Sequence, residues 1–166
     1  MYLIDKTYFR NKLQINGLYD GNNGLETKLD DYISIYVIDF LQKLLGVDFE
    51  ELKANITDGV LDTGAPQKWL DLINGKTYTK EGKTYIWKGL LYQNGSVKLS
   101  ILANVVYCNL IHDLVTGNGQ ISVDVKSSRM LLPRKNYIEV WNEIANQFNQ
   151  SVDLQPKISV INGVRF

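Results

Sequence analysis

Over residues 26–45 apolar side chains return at helical spacing. Leu29, Tyr32, Ile33, Tyr36, Val37, Phe40, Leu41, Leu44 and Leu45 make one wide stripe, with Leu25 just ahead of it. A stripe with a period of 3.6 is the mark of a helix buried along one side. Asn23 followed by Glu26 reads as a capping box, and Gly46 supplies a left-handed stop. The second long apolar run, 97–115, has a different pattern. Leu99, Ile101, Leu102, Val105, Val106, Tyr107, Leu110, Ile111 and Leu114 lie on most faces of a helix. This run predicts one helix enclosed by neighbours, some of them from other subunits.

Shorter elements fill the remainder. Asp5 caps a short helix over 6–13, and Asp20-Gly-Asn-Asn-Gly24 is a turn. That turn faintly resembles a calcium loop, but Leu25 stands where the loop needs glycine. Asp48-Phe-Glu-Glu51 predicts a second capping box, opening a helix that buries Phe49, Leu52 and Ile56. Residues 59–66 read as a loop. Pro66 then sits in the first turn of a helix lined by Trp69, Leu70 and Ile73, which Asn74-Gly75 ends.

Residues 76–88 predict a β-hairpin with its tip at Glu81-Gly82, because Thr, Tyr, Ile and Trp flank that tip. Tyr85 and Trp87 fall on one strand face and cap the helices beneath. Further on, 120–126 alternates apolar and polar like a half-buried strand or arm. A third capping box, Asn136 to Glu139, starts a helix to 149 with Tyr137, Ile138, Trp141, Ile144, Ala145 and Phe148 inward. Asn162-Gly163 closes a small hairpin over 157–166.

The expected fold is mainly α: a helical bundle with an inserted β-hairpin and extended strand-like arms. Trp69, Trp87, Trp141, Phe40, Leu102 and Val106 are its expected core anchors. The 166 residues, 45% hydrophobic, suffice for one domain over 1–166, and no Pro/Ser-rich linker divides them. Residues 152–166 read as a C-terminal arm. The alternating residues Ile121, Val123, Val125, Ile158, Val160 and Ile161 have no obvious partner strand in the chain. They are the candidates for pairing with an adjacent subunit.

Charge and chemistry narrow the picture further. Eighteen basic and eighteen acidic residues cancel. A balanced chain is not built chiefly to coat nucleic acid or an anionic membrane, although a sum does not describe a distribution. It also lacks the self-repulsion that would oppose assembly with copies of itself. The single cysteine, Cys108, excludes an intrachain disulfide, which fits a reducing compartment. The N-terminus carries charge at once and does not read as a secretory signal. No apolar stretch reaches bilayer length without polar residues. The sequons at Asn55, Asn94 and Asn149 read as chance in an Asn-rich chain.

His112, the only histidine, stands four residues from Cys108. A Cys–His or Ser–His–Asp site would have to use it. Its apolar setting favours a packed thiol and a rim histidine, and one His with one Cys is too few for zinc. Asp30-Asp31 and Glu50-Glu51 read as solvated or dipole-stabilising acids rather than an acid–base pair. Trp69 and Trp87 read as core anchors rather than stacking platforms. Lys76, Lys80, Lys83 and Lys88 give the hairpin a basic surface. It is either a lysine-protected edge or a contact for nucleic acid or an acidic partner. No catalytic, cofactor-binding or metal-binding residue is assigned.

The order of packing motifs carries a resemblance. Phe40-Leu41-Gln-Lys-Leu44-Leu45-Gly46 is followed by an acidic Phe-Glu-Glu-Leu52. Next come Trp69-Leu-Asp-Leu-Ile-Asn-Gly-Lys-Thr-Tyr78, Trp87-Lys-Gly-Leu90, a helix containing Val106-Tyr107, a Gly-Asn-Gly turn and a Trp141-Asn142 helix. Over roughly 5–149 this is similar to the small head–tail connector proteins (adaptor or neck ring) of tailed bacteriophages, particularly those infecting Bacteroides-type bacteria. The resemblance implies a non-enzymatic virion protein without cofactor, present in the host cytoplasm during assembly. It would form a homo-oligomeric ring between portal and tail proteins, pass double-stranded DNA through its lumen, and have no membrane role. Two alternatives stay open: another virion or tail-completion component, and a small enzyme or nucleic-acid-binding module.

Overall fold

The computed structural model describes residues 2–117 except 11, 12, 16, 22, 95 and 96. The arms over 120–126 and 157–166, the helix over 136–149, Trp141 and all six interface candidates lie outside the described residues. Within them the chain combines four α-helices with three small antiparallel hairpins.

The long helix α1 spans Asn23–Leu45. Its stripe is buried at Leu29, Ile33, Val37, Phe40, Leu41, Leu44 and Leu45. Asn23, the expected cap, is the first helical residue. Glu26 pairs with Lys6, 2.9 Å away. Gly46 does adopt positive φ, at 56°. The chain then tightens into a 3-10 turn, Gly46–Asp48, rather than leaving the helix. That turn removes the second expected box. Asp48 arrives already in helical geometry (φ −76°, ψ −9°), so its side chain caps nothing. Helix α2, Phe49–Ala54, still buries Phe49 and Leu52, while Ile56 is half-buried.

At the N-terminus Asp5 accepts from the Thr7 amide at 2.8 Å and from its hydroxyl. It caps a 3-10 turn, Lys6–Tyr8, in place of the α-helix expected to start there. Phe9, Leu13, Ile15 and Leu18 enter the core one at a time. Their spacing matches no single helix face.

The expected loop over 59–66 contains a strand. Strand β1 (Ile56–Thr57) pairs with β2 (Val60–Leu61) across Asp58-Gly59. Both turn residues have positive φ, 50° and 80°, the requirement of a type I′ turn. Helix α3, Gln67–Asn74, follows with Pro66 at its N-cap and Trp69, Leu72 and Ile73 buried. Leu70, expected on the inner side, is half-buried. The predicted hairpin is β3 (Lys76–Lys80) with β4 (Lys83–Trp87), turning at Glu81-Gly82.

The apolar run over 97–115 is not one helix. Its first four residues form β6 (Val97–Ser100), paired with β5 (Leu91–Asn94). Helix α4, Ile101–Gly117, begins only afterwards. Ser100 sets this boundary. Its hydroxyl donates to the Leu90 carbonyl at 2.9 Å and accepts from the Leu102 amide at 3.1 Å. One buried side chain thus closes the β5–β6 ladder and caps the helix. Ile101, Leu102, Ala103, Val106 and Leu110 are buried in α4, which packs mainly against α1.

Candidate interaction surface

The hairpin β3–β4 stands on α3, and its base is fixed by backbone groups. The Leu72 carbonyl accepts from the Trp87 indole at 3.2 Å and from the Leu90 amide at 3.0 Å. Gly75 and Gly89 let the two chain segments touch backbone to backbone. A Cβ on Gly75 would lie 2.5 Å from the Trp87 carbonyl oxygen, and one on Gly89 would lie 2.4 Å from that of Ile73. Both glycines also have positive φ, 97° and 84°, which L side chains rarely adopt.

Side chains complete the mount. Lys76 reaches Asp71 at 2.8 Å, and Gln67 donates to the same carboxylate at 2.6 Å. Burial pushes the Asp71 carboxyl up. The bonds from Lys76 and Gln67 outweigh it and hold the group below its ordinary value. On the other side of α3, Glu51 ties down α2. It accepts from Lys68 at 2.6 Å and from the Trp69 indole at 3.3 Å. The Lys68 bond holds the Glu51 carboxyl below its ordinary value. The Lys68 ammonium lies 4.6 Å from the Trp69 ring centre.

Above this base the hairpin is open. Register places Thr77 opposite Ile86 and Thr79 opposite Thr84 on one face. All four are exposed, Ile86 at 61%. The other face begins with buried Trp87 and half-buried Tyr78, which rest against the core. In the register Lys80 pairs with Lys83 at the tip, on the face of Trp87 rather than that of Ile86. A two-stranded hairpin is marginal in water on its own. This one is held by its base and presents a strip of threonine and isoleucine on one face.

The expected core anchors that are described, Trp69, Trp87, Phe40, Leu102 and Val106, are all buried. The Trp69 and Trp87 faces therefore offer no stacking platform. Cys108 is half-buried and His112 exposed on α4. Tyr32 on α1 donates its hydroxyl to Asp113 on α4. That bond, with burial and the nearby charge, pushes the phenol up to about 12. Among the described residues no cluster of His, Cys, Asp and Glu could hold a metal ion, and no helix is long and apolar enough to cross a membrane.

A cleft of about 480 Å³ lies between the N-terminal segment, the β1–β2 turn and β5–β6, lined by Tyr2, Asp5, Tyr8, Asp58 and Lys98 among others. Two of its polar groups, Lys98 and Asp5, are engaged by Thr7. Lys98 donates to the Thr7 hydroxyl at 2.8 Å and lies 5.0 Å from the Tyr8 ring centre. Asp5 is committed to Thr7.

Sequence reasoning placed the hairpin but missed its mount. Glu51 and the Leu72 carbonyl join residues far apart in the chain, whereas Asp71 takes Gln67 and Lys76 from close by. The fold so defined is a helical body carrying small antiparallel hairpins. The chain matches no family model, no curated protein and no solved structure.

Proposed function

We propose that this chain is a structural subunit of a ring at the portal–tail junction of a tailed bacteriophage. It serves as a conduit for DNA and a platform for tail proteins. The observation that carries the reading is the β3–β4 hairpin, seated on a rigid base with an uncharged strip open to solvent. Such an arm has little to do for a solitary chain, but it suits a subunit completed by a neighbour. The order of packing motifs, similar to that of phage connector proteins, supplies the assembly. Portal protein, adjacent neck or tail proteins and further copies of the chain are the proposed partners, and the contact with DNA is non-specific. The strand-like residues Ile121, Val123, Val125, Ile158, Val160 and Ile161 supply additional inter-subunit pairing in this reading.

Electron microscopy of the purified protein, alone and mixed with the portal protein encoded in the same genome, tests it. The expected result is an annular density capping the portal. A chain that neither closes into rings nor binds the portal overturns the proposal.

A further inference from the structure

The ring reading leaves the cleft beside the β1–β2 turn unused. Its volume of about 480 Å³ falls within the range of ligand pockets, about 300–1,000 Å³. Buried Leu3, Ile4, Leu61 and Ile73 and half-buried Leu91 supply its apolar side. Tyr2 and Val60 also line it, and they are 51% and 68% exposed.

Charge at the cleft resolves to one group. Three of the lining side chains are charged: Asp5, Asp58 and Lys98. Asp5 and Lys98 meet on the Thr7 hydroxyl. Burial pushes the Asp5 carboxyl up, and the Thr7 bonds with the Lys98 charge outweigh it. These two charges offset each other. Asp58 is exposed, and its carboxylate has no hydrogen-bond or ion-pair partner among the described residues. It sets the sign of the cleft.

The turn itself does not need that charge. A type I′ turn requires positive φ at both central residues, and asparagine meets the requirement as well as aspartate. Asp58 adopts a φ of 50°. The next residue, Gly59, lies against the N-terminal segment, since a Cβ there would be 3.7 Å from the Tyr2 Cβ and amide nitrogen. An exposed aromatic residue thus stands beside the Asp58 turn. Asn74, exposed on the same cleft, adds an amide oxygen able to accept.

A carboxylate, an aromatic ring and an amide oxygen over an apolar wall complement a cation on an apolar stem. A guanidinium suits them better than an ammonium. Its planar fork bonds a carboxylate through two N–H groups, its face stacks on aromatic rings, and it has donors left for an amide oxygen. Its methylene stem lies well on apolar surface.

We infer that this cleft binds a guanidinium group on an apolar stem. Asp58 takes the charge, Tyr2 the face of the group, Asn74 a remaining N–H, and Leu61 and Ile73 the stem. The site needs no second copy of the chain and stands apart from the ring reading. A peptide arginine and a free alkylguanidine share this chemistry.

Titrations of the full chain, followed by amide chemical shifts, test it. The probes are butylguanidinium, the peptide acetyl-Ala-Leu-Arg-Leu-Ala-amide, and the same peptide with uncharged citrulline in place of arginine. Saturable shifts at Tyr2, Gly59, Leu61 and Leu91 are expected with the arginine peptide and not with the citrulline peptide. Asp58→Asn keeps the turn and is expected to weaken binding about tenfold or more, the worth of a hydrogen bond to a charged group. Tyr2→Leu keeps an apolar side chain and should weaken it about twofold to fivefold. Circular dichroism checks that both variants fold.

Tighter binding of the peptide than of butylguanidinium assigns the site to an arginine of a partner protein, and the reverse order assigns it to a small guanidine. Both uphold the inference. Equal binding of the arginine and citrulline peptides, or an Asp58→Asn chain that binds like the parent, overturns it, because the cleft then recognises apolar bulk alone. Shifts confined to other surfaces, or no saturable shift with any probe, overturn it as well. Inorganic phosphate bound at the same amides and lost in Lys98→Gln reverses the sign of the site and is equally fatal. None of these outcomes bears on ring formation, which electron microscopy reads independently.

Discussion

The α1–α4 side of the molecule buries Leu29, Ile33, Val37, Leu41, Leu102, Val106 and Leu110, a broad set of aliphatic residues. The α3–hairpin side is held by two bonds to one carbonyl, two glycines at backbone contact and the carboxylates of Glu51 and Asp71. The first region draws its stability from area, and area is forgiving: volume-conserving swaps there cost less than about 1.5 kcal/mol. The second draws its geometry from particular atoms, and each of those positions admits few residue types. A projecting arm needs the second kind of support. The aim of a two-stranded hairpin is set wholly at its base.

Trp69 joins the two regions, so its loss is the most damaging change. It is fully buried, with its indole N–H on Glu51. Trp69→Ala is expected to cost about 3–5 kcal/mol, and urea unfolding followed by circular dichroism measures it. A variant as stable as the parent would mean that α3 adds nothing to the body, and the contrast between regions would lapse.

Gly89→Ala separates them more cleanly. The added methyl meets the Ile73 carbonyl and the backbone at Asn74 and Gly75, at a φ of 84°. A cost of about 2–3 kcal/mol is expected from overpacking and the left-handed backbone together. It should fall on the hairpin mount. Hydrogen exchange should quicken at amides of β3 and β4 and stay unchanged in α1. Uniform acceleration across both regions would mean that the mount and the body unfold as one unit.

The same division explains what the sequence disclosed. The α1 stripe was legible because a helix packed along one side repeats its signal for six turns. The hairpin was legible because Glu81-Gly82 lies between β-formers. Asp58-Gly59, between Ile56 and Val60, carries the same signal, but strands of two residues are too short to establish an alternation. The run over 97–115 misled because helical and strand residues are both apolar there. Only the Val97-Lys98-Leu99-Ser100 alternation, ending on a serine able to cap, marked the change from β6 to α4. The mount was illegible for a different reason. Glu51–Lys68 and Trp87–Leu72 join residues 17 and 15 positions apart, and Lys76–Asp71 is a charge pair of a kind common anywhere on a surface. The hairpin strip announced itself only as β propensity, and its exposure on both strands is a property of the fold.

Acid gives the smallest effect and the finest test of the comparison. Glu51 and Asp71 both sit at the mount, and both carboxyls are held below their ordinary values, Glu51 by Lys68 and Asp71 by Lys76 and Gln67 against its burial. A carboxyl depressed in the folded state binds protons less readily there than in the unfolded chain. Its contribution is complete above the ordinary carboxylate range and is lost as pH falls through the depressed value. Asp5, lowered by Thr7 and Lys98 against burial, adds the same sign at the N-terminal turn. Stability should therefore decline from roughly pH 5 downward, and the mount should loosen before the helices. In a Trp141→Phe background, emission from Trp69 and Trp87 should shift red at a higher pH than the loss of helical circular dichroism. Glu51→Gln should flatten the acid dependence, and added salt should shrink the difference between variant and parent because the Lys68 pair is solvent-exposed. Coincident transitions in parent and variant would place the acid-sensitive groups elsewhere and make the two regions one cooperative whole.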